Sequence, residues 1–145
     1  MVQQQVNPKA NEGFNPKVLK DAATRKAYSN TAMKAFVRMM DAWDMSVDQR
    51  CAILGDIPRQ TYHKWARGDV SKLSRDQLER IGIALGIYKG LNLLFNDEGG
   101  RLRWFKSLNH DYAFRGKSPA ERMTEGGMHD LYAVRAYVDG LRGAH

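Results

Sequence analysis

Residues 51–68 read CAILGDIPRQTYHKWARG, and this segment decides the fold. Two short stretches with helical spacing flank Gly55, a residue type that commonly ends helices because it tolerates left-handed backbone. Pro58 suits the first turn of the second stretch, where the N–H that proline lacks would have no partner. The second helix is predicted to end at Arg67. The segment therefore predicts two short helices joined by a tight turn, with the small side chain of Cys51 where they cross.

The second helix of this pair divides into an apolar face and a polar face. The apolar side chains available to hold it on a core are Ile57, Tyr62 and Trp65. The polar face can donate hydrogen bonds to base edges and phosphates. Its candidate DNA-binding residues are Arg59, Gln60, Thr61, His63, Lys64 and Arg67.

Positive charge concentrates around the same helix. Residues 57–75 contain five basic residues and one acidic residue, whereas residues 76–100 contain two basic and four acidic residues. Binding to phosphate requires a local excess of this kind. We therefore predict that the second helix is a recognition helix for double-stranded DNA.

Helical patterns continue on both sides of the motif. Apolar residues at spacings of three and four over residues 33–43 predict a preceding helix. Ser46 with Gln49, and Ser74 with Gln77, have the S-x-x-Q spacing of a capping box and predict the starts of two more helices. No β-alternation of useful length occurs, so the sequence predicts an all-α protein.

Three glycines raise a question about the helix predicted after Ser74. Gly82, Gly86 and Gly90 recur every four residues, although a glycine inside a helix costs about 1 kcal/mol relative to alanine. Either another helix approaches closely along this face, or the element between Ser74 and Phe95 breaks near Gly86 into two helices.

The last third of the chain predicts shorter elements. We expect a turn or linker over residues 96–100, a short amphipathic helix from Leu102 to Leu108, and a loop over residues 109–117. Residues 118–121 (SPAE) combine an N-cap serine, a first-turn proline and a capping glutamate, which predicts a helix start. The final helix carries an apolar stripe from Leu131 to Leu141.

Composition limits the class of protein. At 145 residues with a net charge of +7, the chain favours one or two small domains and an acidic partner. The single cysteine excludes an intramolecular disulfide, residues 1–36 have no signal-peptide core, and the apolar residues 81–95 are too few to span a bilayer. A cytoplasmic protein without a membrane segment is expected.

No catalytic or metal site is predicted. The four histidines are scattered along the chain, unlike the ligands of a metal site. His110 and Asp111 lie near Tyr112 and Ser118, but no nucleophile, base and orienting group occur at a diagnostic spacing. We therefore expect neither an enzyme nor a bound cofactor.

Two segments resemble a known family. The pattern LGxxxRQTYxxWxxG at residues 54–68 resembles the Xre-type helix-turn-helix. Trp104-Phe105, Asn109, Phe114, the GKSP of residues 116–119 and the final helix resemble the toxin-binding domain of Xre/ParS/MbcA antitoxins, so that the resemblance covers about residues 30–145. Two departures affect the docking angle of the recognition helix: Asp56 lengthens the turn by one residue, and Arg50 stands where an apolar residue is common.

The resemblance implies a function and a set of partners. Members of this family neutralise a co-encoded toxin that consumes NAD or transfers parts of it, and they repress their own operon as dimers or larger complexes. A RES-type toxin, which degrades NAD, is the first choice of partner here, and a ParT-type toxin, which modifies proteins using NAD, is the second. The rival hypothesis is a stand-alone transcription regulator whose C-terminal domain dimerises or senses a ligand.

The implied organisation is a flexible basic arm over residues 1–28, a helix-turn-helix domain over residues 29–95 and a toxin-binding domain over residues 96–145. Over residues 15–28 the sequence pattern leaves open a short helix or part of the arm. Since large aromatic residues usually pack inward, at most one of Trp104 and Phe105 is expected to face a partner. The candidate toxin-binding residues are Trp104, Asn109, Phe114, Lys117, Tyr132, Arg135, Asp139, Leu141, Arg142 and His145.

The end of the chain is expected to block the toxin's NAD pocket. Gly140 and Gly143 would loosen the backbone so that it leaves the helix. Arg142 would then place its guanidinium where the phosphates of a nucleotide bind.

Overall fold

The computed structural model describes residues 22–125 and 127–143. Over these residues it contains helices and no strand, which confirms the all-α class. The helices are α1 (Ala22–Ala42), α2 (Val47–Ile53), α3 (Arg59–Ala66), α4 (Arg75–Leu94), α5 (Glu98–Lys106), α6 (Pro119–Met123) and α7 (Met128–Gly143).

Helix α1 begins earlier than the sequence pattern predicts. Residues 22–28, for which the sequence pattern left open a short helix or part of the arm, form its first turns. The loop before α4 anchors them: Arg25 Nη2 donates to the carbonyl oxygen of Leu73 at 3.1 Å, and the Leu73 N–H donates to Ser29 Oγ at 2.9 Å. These anchors are polar, so apolar periodicity does not reveal them. The rest of the predicted arm, residues 1–21, lies outside the described residues.

Local capping fixes the starts of α2 and α4 as predicted. The Gln49 N–H donates to Ser46 Oγ at 3.1 Å, and the Ser46 N–H donates to Gln49 Oε1 at 2.8 Å. Ser74 and Gln77 make the same reciprocal pair at 3.0 and 2.9 Å. A third capping box, predicted from the SPAE segment, starts α6.

Helix α3 is shorter than predicted by one residue at each end. Pro58 is its N-cap, in extended backbone, and not a residue of the first turn. Arg67 is the C-cap, and Gly68 follows with a positive φ of 98°. The glycine stop itself is therefore confirmed.

Two glycines of α4, Gly86 and Gly90, lie where α7 packs against it. Helix α4 is continuous from Arg75 to Leu94, so the alternative with a break near Gly86 is wrong. A Cβ atom on Gly90 would lie 2.6 Å from Val138 Cγ1, and a Cβ on Gly86 would overlap the guanidinium of Arg135. Close approach of a second helix therefore explains Gly86 and Gly90. Among the described helices, α4 and α7 form the most extensive contact.

The segment after α4 differs from the prediction. Helix α5 begins at Glu98, inside the predicted turn, because Asp97 caps it and accepts a hydrogen bond from the Gly100 N–H at 3.0 Å. The helix ends at Lys106, so Leu108 lies outside it and is 66% exposed. The predicted stripe therefore fails at its last residue.

One hydrophobic core runs through the described residues, from Met33 in α1 to Val138 in α7. The rings of Trp43, just after α1, and Phe105 in α5 stack with centroids 4.1 Å apart. Helices on both sides of the predicted boundary at residue 95 therefore share one core, and the two candidate binding surfaces both lie on it.

Candidate functional site

The outer face of α3 is polar and open to solvent. Tyr62 lies beneath it and is buried in the core, as predicted, while Ile57 and Trp65 pack against the core edge. Thr61 is half-buried. The other candidate DNA-binding residues are all exposed: Arg59, Gln60, His63, Lys64 and Arg67.

One cation of this face has an intramolecular partner. Arg59 Nη1 lies 2.6 Å from Asp48 Oδ1, at the start of α2, and both side chains are exposed. An exposed pair of this kind contributes little to stability. Arg59 is therefore available to exchange Asp48 for a phosphate group at small energetic cost.

Arg50 ties α3 to two other elements. Its Nη1 donates to Tyr62 Oη at 2.9 Å, its Nε donates to the Met45 carbonyl oxygen at 2.9 Å, and its Nη2 lies 2.9 Å from Asp41 Oδ1. Burial lowers the pKa of Arg50, but the hydrogen bonds and charges of Tyr62 and Asp41 together raise it above its usual value. Arg50, which departs from the family pattern, thus positions α3.

The longer turn between α2 and α3 is accommodated by left-handed backbone. Gly55 has a φ of 95° and Asp56 a φ of 62°, a region that aspartate enters more readily than most residues. The N–H groups of Asp56 and Ile57 donate to the Cys51 carbonyl oxygen at 2.9 and 3.3 Å. The extra residue therefore leaves the turn closed on the end of α2.

Burial raises the pKa of the Cys51 thiol, which keeps it protonated at neutral pH.

A second candidate surface surrounds an aromatic cluster between α5 and α7. Trp104 is half-buried, with its ring 5.8 Å from that of Phe114 and 6.2 Å from that of Tyr137. Phe105 is fully buried, so only Trp104 of the adjacent pair reaches the surface, as expected. Phe114 is also fully buried and offers no contact area, which corrects its assignment as a toxin-contacting residue. Its role in this fold is to support Trp104 and Tyr137.

The loop of residues 109–117 is folded back against α7. The Asn109 N–H donates to the Lys117 carbonyl oxygen at 3.0 Å, and Asn109 Oδ1 accepts from the Asp111 N–H at 2.9 Å. Tyr137 donates its hydroxyl hydrogen to the Asp111 carboxylate, and this bond raises the pKa of Tyr137 to about 12. The loop presents Tyr112 with 90% of its surface exposed. The sequence places Tyr112 in this loop, but Tyr112 is not among the candidate toxin-binding residues predicted from it.

The outer face of α7 carries alternating charges. Arg135 Nε lies 3.2 Å from Asp139 Oδ2, and Arg142 Nη1 lies 3.8 Å from Asp139 Oδ1. Tyr132 is 47% exposed and donates to Glu79 Oε2 of α4 at 2.7 Å, a hydrogen bond that raises the pKa of Tyr132.

The remaining candidate residues lie near this face or outside the described part of the chain. Lys117 is exposed and pairs with Glu125 at 2.6 Å. Leu141 is half-buried near the end of α7. In the isolated chain α7 continues through Gly143, and release of the backbone after Gly140 into a toxin pocket stays a prediction. His145 lies outside the described residues.

A buried ion pair fixes the base of this surface. Arg122 and Asp130 are each about 5% exposed and form a salt bridge between α6 and α7. Arg122 Nε also donates to the Ala113 carbonyl oxygen at 2.8 Å. Sequence reasoning missed this pair because arginine and aspartate are usually surface residues. Since an unpaired buried charge is strongly destabilising, each partner keeps the other in place.

Two further searches cover only the described residues. None of the helices described is both long enough and apolar enough to cross a membrane. Within residues 22–125 and 127–143, no three side chains of histidine, cysteine, aspartate or glutamate come together as a metal site would need.

Comparison with known proteins connects both surfaces to described domains. Residues 29–82 match the antitoxin Xre-like helix-turn-helix domain, and residues 91–143 match the antitoxin Xre/MbcA/ParS C-terminal toxin-binding domain. An uncharacterized protein of Sinorhizobium fredii, y4oB, is 36% identical over 111 residues, which cover 77% of this chain and 84% of that protein. The first match contains α3, and the second contains the aromatic cluster and α7.

Proposed function

Because this chain belongs to the Xre/MbcA/ParS antitoxin family, we propose that it neutralises an NAD-consuming toxin by direct binding and represses its own operon. Membership of this family makes the chain an antitoxin with a helix-turn-helix domain and a toxin-binding domain. The observation that carries the proposal is the presence, on one core, of an exposed donor face on α3 and a separate exposed face on α7.

In this proposal α3 lies in the major groove of the operator. Gln60 and His63 read base edges, because their side chains present hydrogen-bonding groups on the solvent face. Arg59, Lys64 and Arg67 contact phosphates, with Thr61 at the margin of the interface. The tie from Arg50 to Tyr62 holds the helix at a fixed angle to α1.

The operator complex is proposed to contain two copies of the chain. One helix such as α3 contacts too few base pairs for useful specificity. Two copies related by a two-fold axis would place their recognition helices on half-sites about 34 Å apart, one turn of DNA. The operator is therefore expected to be nearly palindromic.

The toxin is proposed to bind the surface formed by α5, the following loop and α7. Trp104 and Tyr132 supply partly exposed aromatic surface, and aromatic residues are common anchors of protein interfaces. Arg142, near the end of α7, supplies a fork-shaped donor suited to phosphate. The further proposed contacts are Asn109, Lys117, Arg135, Asp139, Leu141 and His145.

A RES-type toxin, which degrades NAD, is our first choice, and a ParT-type toxin is the second. The test expresses the neighbouring gene product alone and together with this chain. Two quantities are measured: the level of cellular NAD and the modification of cellular proteins by parts of NAD. Loss of NAD that this chain prevents supports the RES type, and modification of proteins by parts of NAD supports the ParT type. A neighbouring product that causes neither effect contradicts the proposal that the toxin consumes NAD.

A further inference from the structure

A groove beside α3 carries a second basic surface. It has a volume of about 270 Å³ and lies between the end of α3 and the flank of α1. Its lining includes apolar side chains from Met33, Val37 and Trp65, and three cations stand around them: Lys34, Arg38 and Arg67. No acidic residue lines this groove. We call it the α1 groove.

The cations of the α1 groove differ from the other cations near α3 in their ion pairing with the described residues. Within residues 22–125 and 127–143, Lys34, Arg38 and Arg67 form no ion pair, in contrast to Arg59 with Asp48 and Arg50 with Asp41. Lys34 and Arg38 stand four residues apart on α1, where like charges are mildly destabilising in a helix. An acidic ligand in the groove would relieve this repulsion.

We propose that the α1 groove binds the DNA backbone next to the bases that α3 reads, an inference that rests on the proposed operator binding. Arg67 belongs both to the polar face of α3 and to the groove, so the two surfaces are continuous. Lys34 and Arg38 are separated by about 6 Å along α1, a length over which one DNA strand presents about two phosphates. The apolar lining suits the deoxyribose between those phosphates.

The test compares the Lys34→Ala/Arg38→Ala double variant with the wild type on the operator and on an unrelated duplex. Losing two phosphate contacts per copy should reduce the steepness of log K against log salt by about 2 for each bound copy. Binding to both duplexes should weaken roughly 10- to 100-fold per copy at 0.1 M salt. Base discrimination should not change, because the groove reads no base edge. The charge-preserving variant Lys34→Arg/Arg38→Lys should restore the slope.

Matched controls separate this inference from the operator-binding proposal. Lys89→Ala removes an exposed lysine of α4 that does not line the groove, and it should leave the slope unchanged. If the groove variant keeps the wild-type slope while Lys64→Ala lowers it, the groove assignment is overturned and operator binding through α3 stands. If neither variant changes DNA binding, both proposals fall. Unchanged DNA binding with loss of toxin neutralisation would assign the groove to the toxin and overturn the inference.

Discussion

Replacing Gly90 with alanine tests the packing of α7 on α4. The added Cβ would lie 2.6 Å from Val138 Cγ1, well below the optimal carbon separation of about 3.5–4.0 Å. Val138 is fully buried, and a valine in a helix strongly prefers one χ1 rotamer. The helices must therefore separate slightly, which costs about 1–3 kcal/mol. Helix propensity returns about 1 kcal/mol, so we expect a net loss of about 1 kcal/mol in the free energy of unfolding.

Gly86→Ala is the matched control, since it makes the same chemical change one turn earlier. Its Cβ would meet the end of the Arg135 side chain, which is flexible and partly exposed. Arg135 can swing toward solvent, and the exposed pair with Asp139 that it then loses contributes little. The gain of about 1 kcal/mol in helix propensity therefore remains. We expect Gly86→Ala to be as stable as the wild type or more stable.

Urea unfolding followed by circular dichroism measures both variants. Gly90→Ala should unfold at a lower urea concentration than the wild type and Gly86→Ala at an equal or higher one, with the m-value unchanged. For a chain of this size, 1 kcal/mol corresponds to a shift in Tm of roughly 3–5 °C. A Gly90→Ala variant as stable as Gly86→Ala would refute the described packing of α4 and α7.

Further substitutions test the polar face of α3 and two hydrogen bonds of the fold. Gln60→Ala should reduce discrimination at one position of each half-site by about 1–3 kcal/mol. Lys64→Ala should weaken binding to all duplexes and reduce the steepness of the salt dependence by about 1 for each bound copy. Gel shifts on single-base operator variants distinguish the two effects. Arg50→Met leaves the Tyr62 hydroxyl without its partner and should destabilise the fold by about 1–3 kcal/mol, and a double-mutant cycle with Tyr62→Phe should show coupling between them. Because the pKa of Tyr137 is raised to about 12, its contribution to stability is complete below pH 10 and is lost as the pH rises toward 12. A pH series that shows the same alkaline loss in Tyr137→Phe as in the wild type would contradict that assignment.

The parts of the fold that the sequence predicts are those set by near neighbours in the chain. Ser46 and Gln49 define a helix start because the partners are three residues apart. The spacing of Gly86 and Gly90 leaves close approach of a helix and a break as alternatives, and it does not identify α7 as the partner. That information lies in residues about 50 positions further along the chain.

The candidate surfaces were predicted less completely, for two physical reasons. Arg50 and Tyr62 are 12 residues apart, and each residue type is common on helix surfaces, so no local pattern indicates that they pair. Phe114 belongs to the family pattern, but the pattern does not say whether a residue contacts a partner or supports one that does. Burial decides this, and it depends on Trp104 and Tyr137 arriving from other elements.

Separation of the two activities is the most direct test of the account. The wild type, a variant of α3 (Gln60→Ala/Lys64→Ala) and a variant of α7 (Tyr132→Ala/Arg142→Ala) are each co-expressed with the neighbouring gene product, and growth and operator binding are measured. All four residues are exposed, so the fold should persist in each variant. The α3 variant should protect growth but bind the operator poorly, and the α7 variant should bind the operator but fail to protect growth. Full protection by the α7 variant, or no protection by the wild type, would contradict the account.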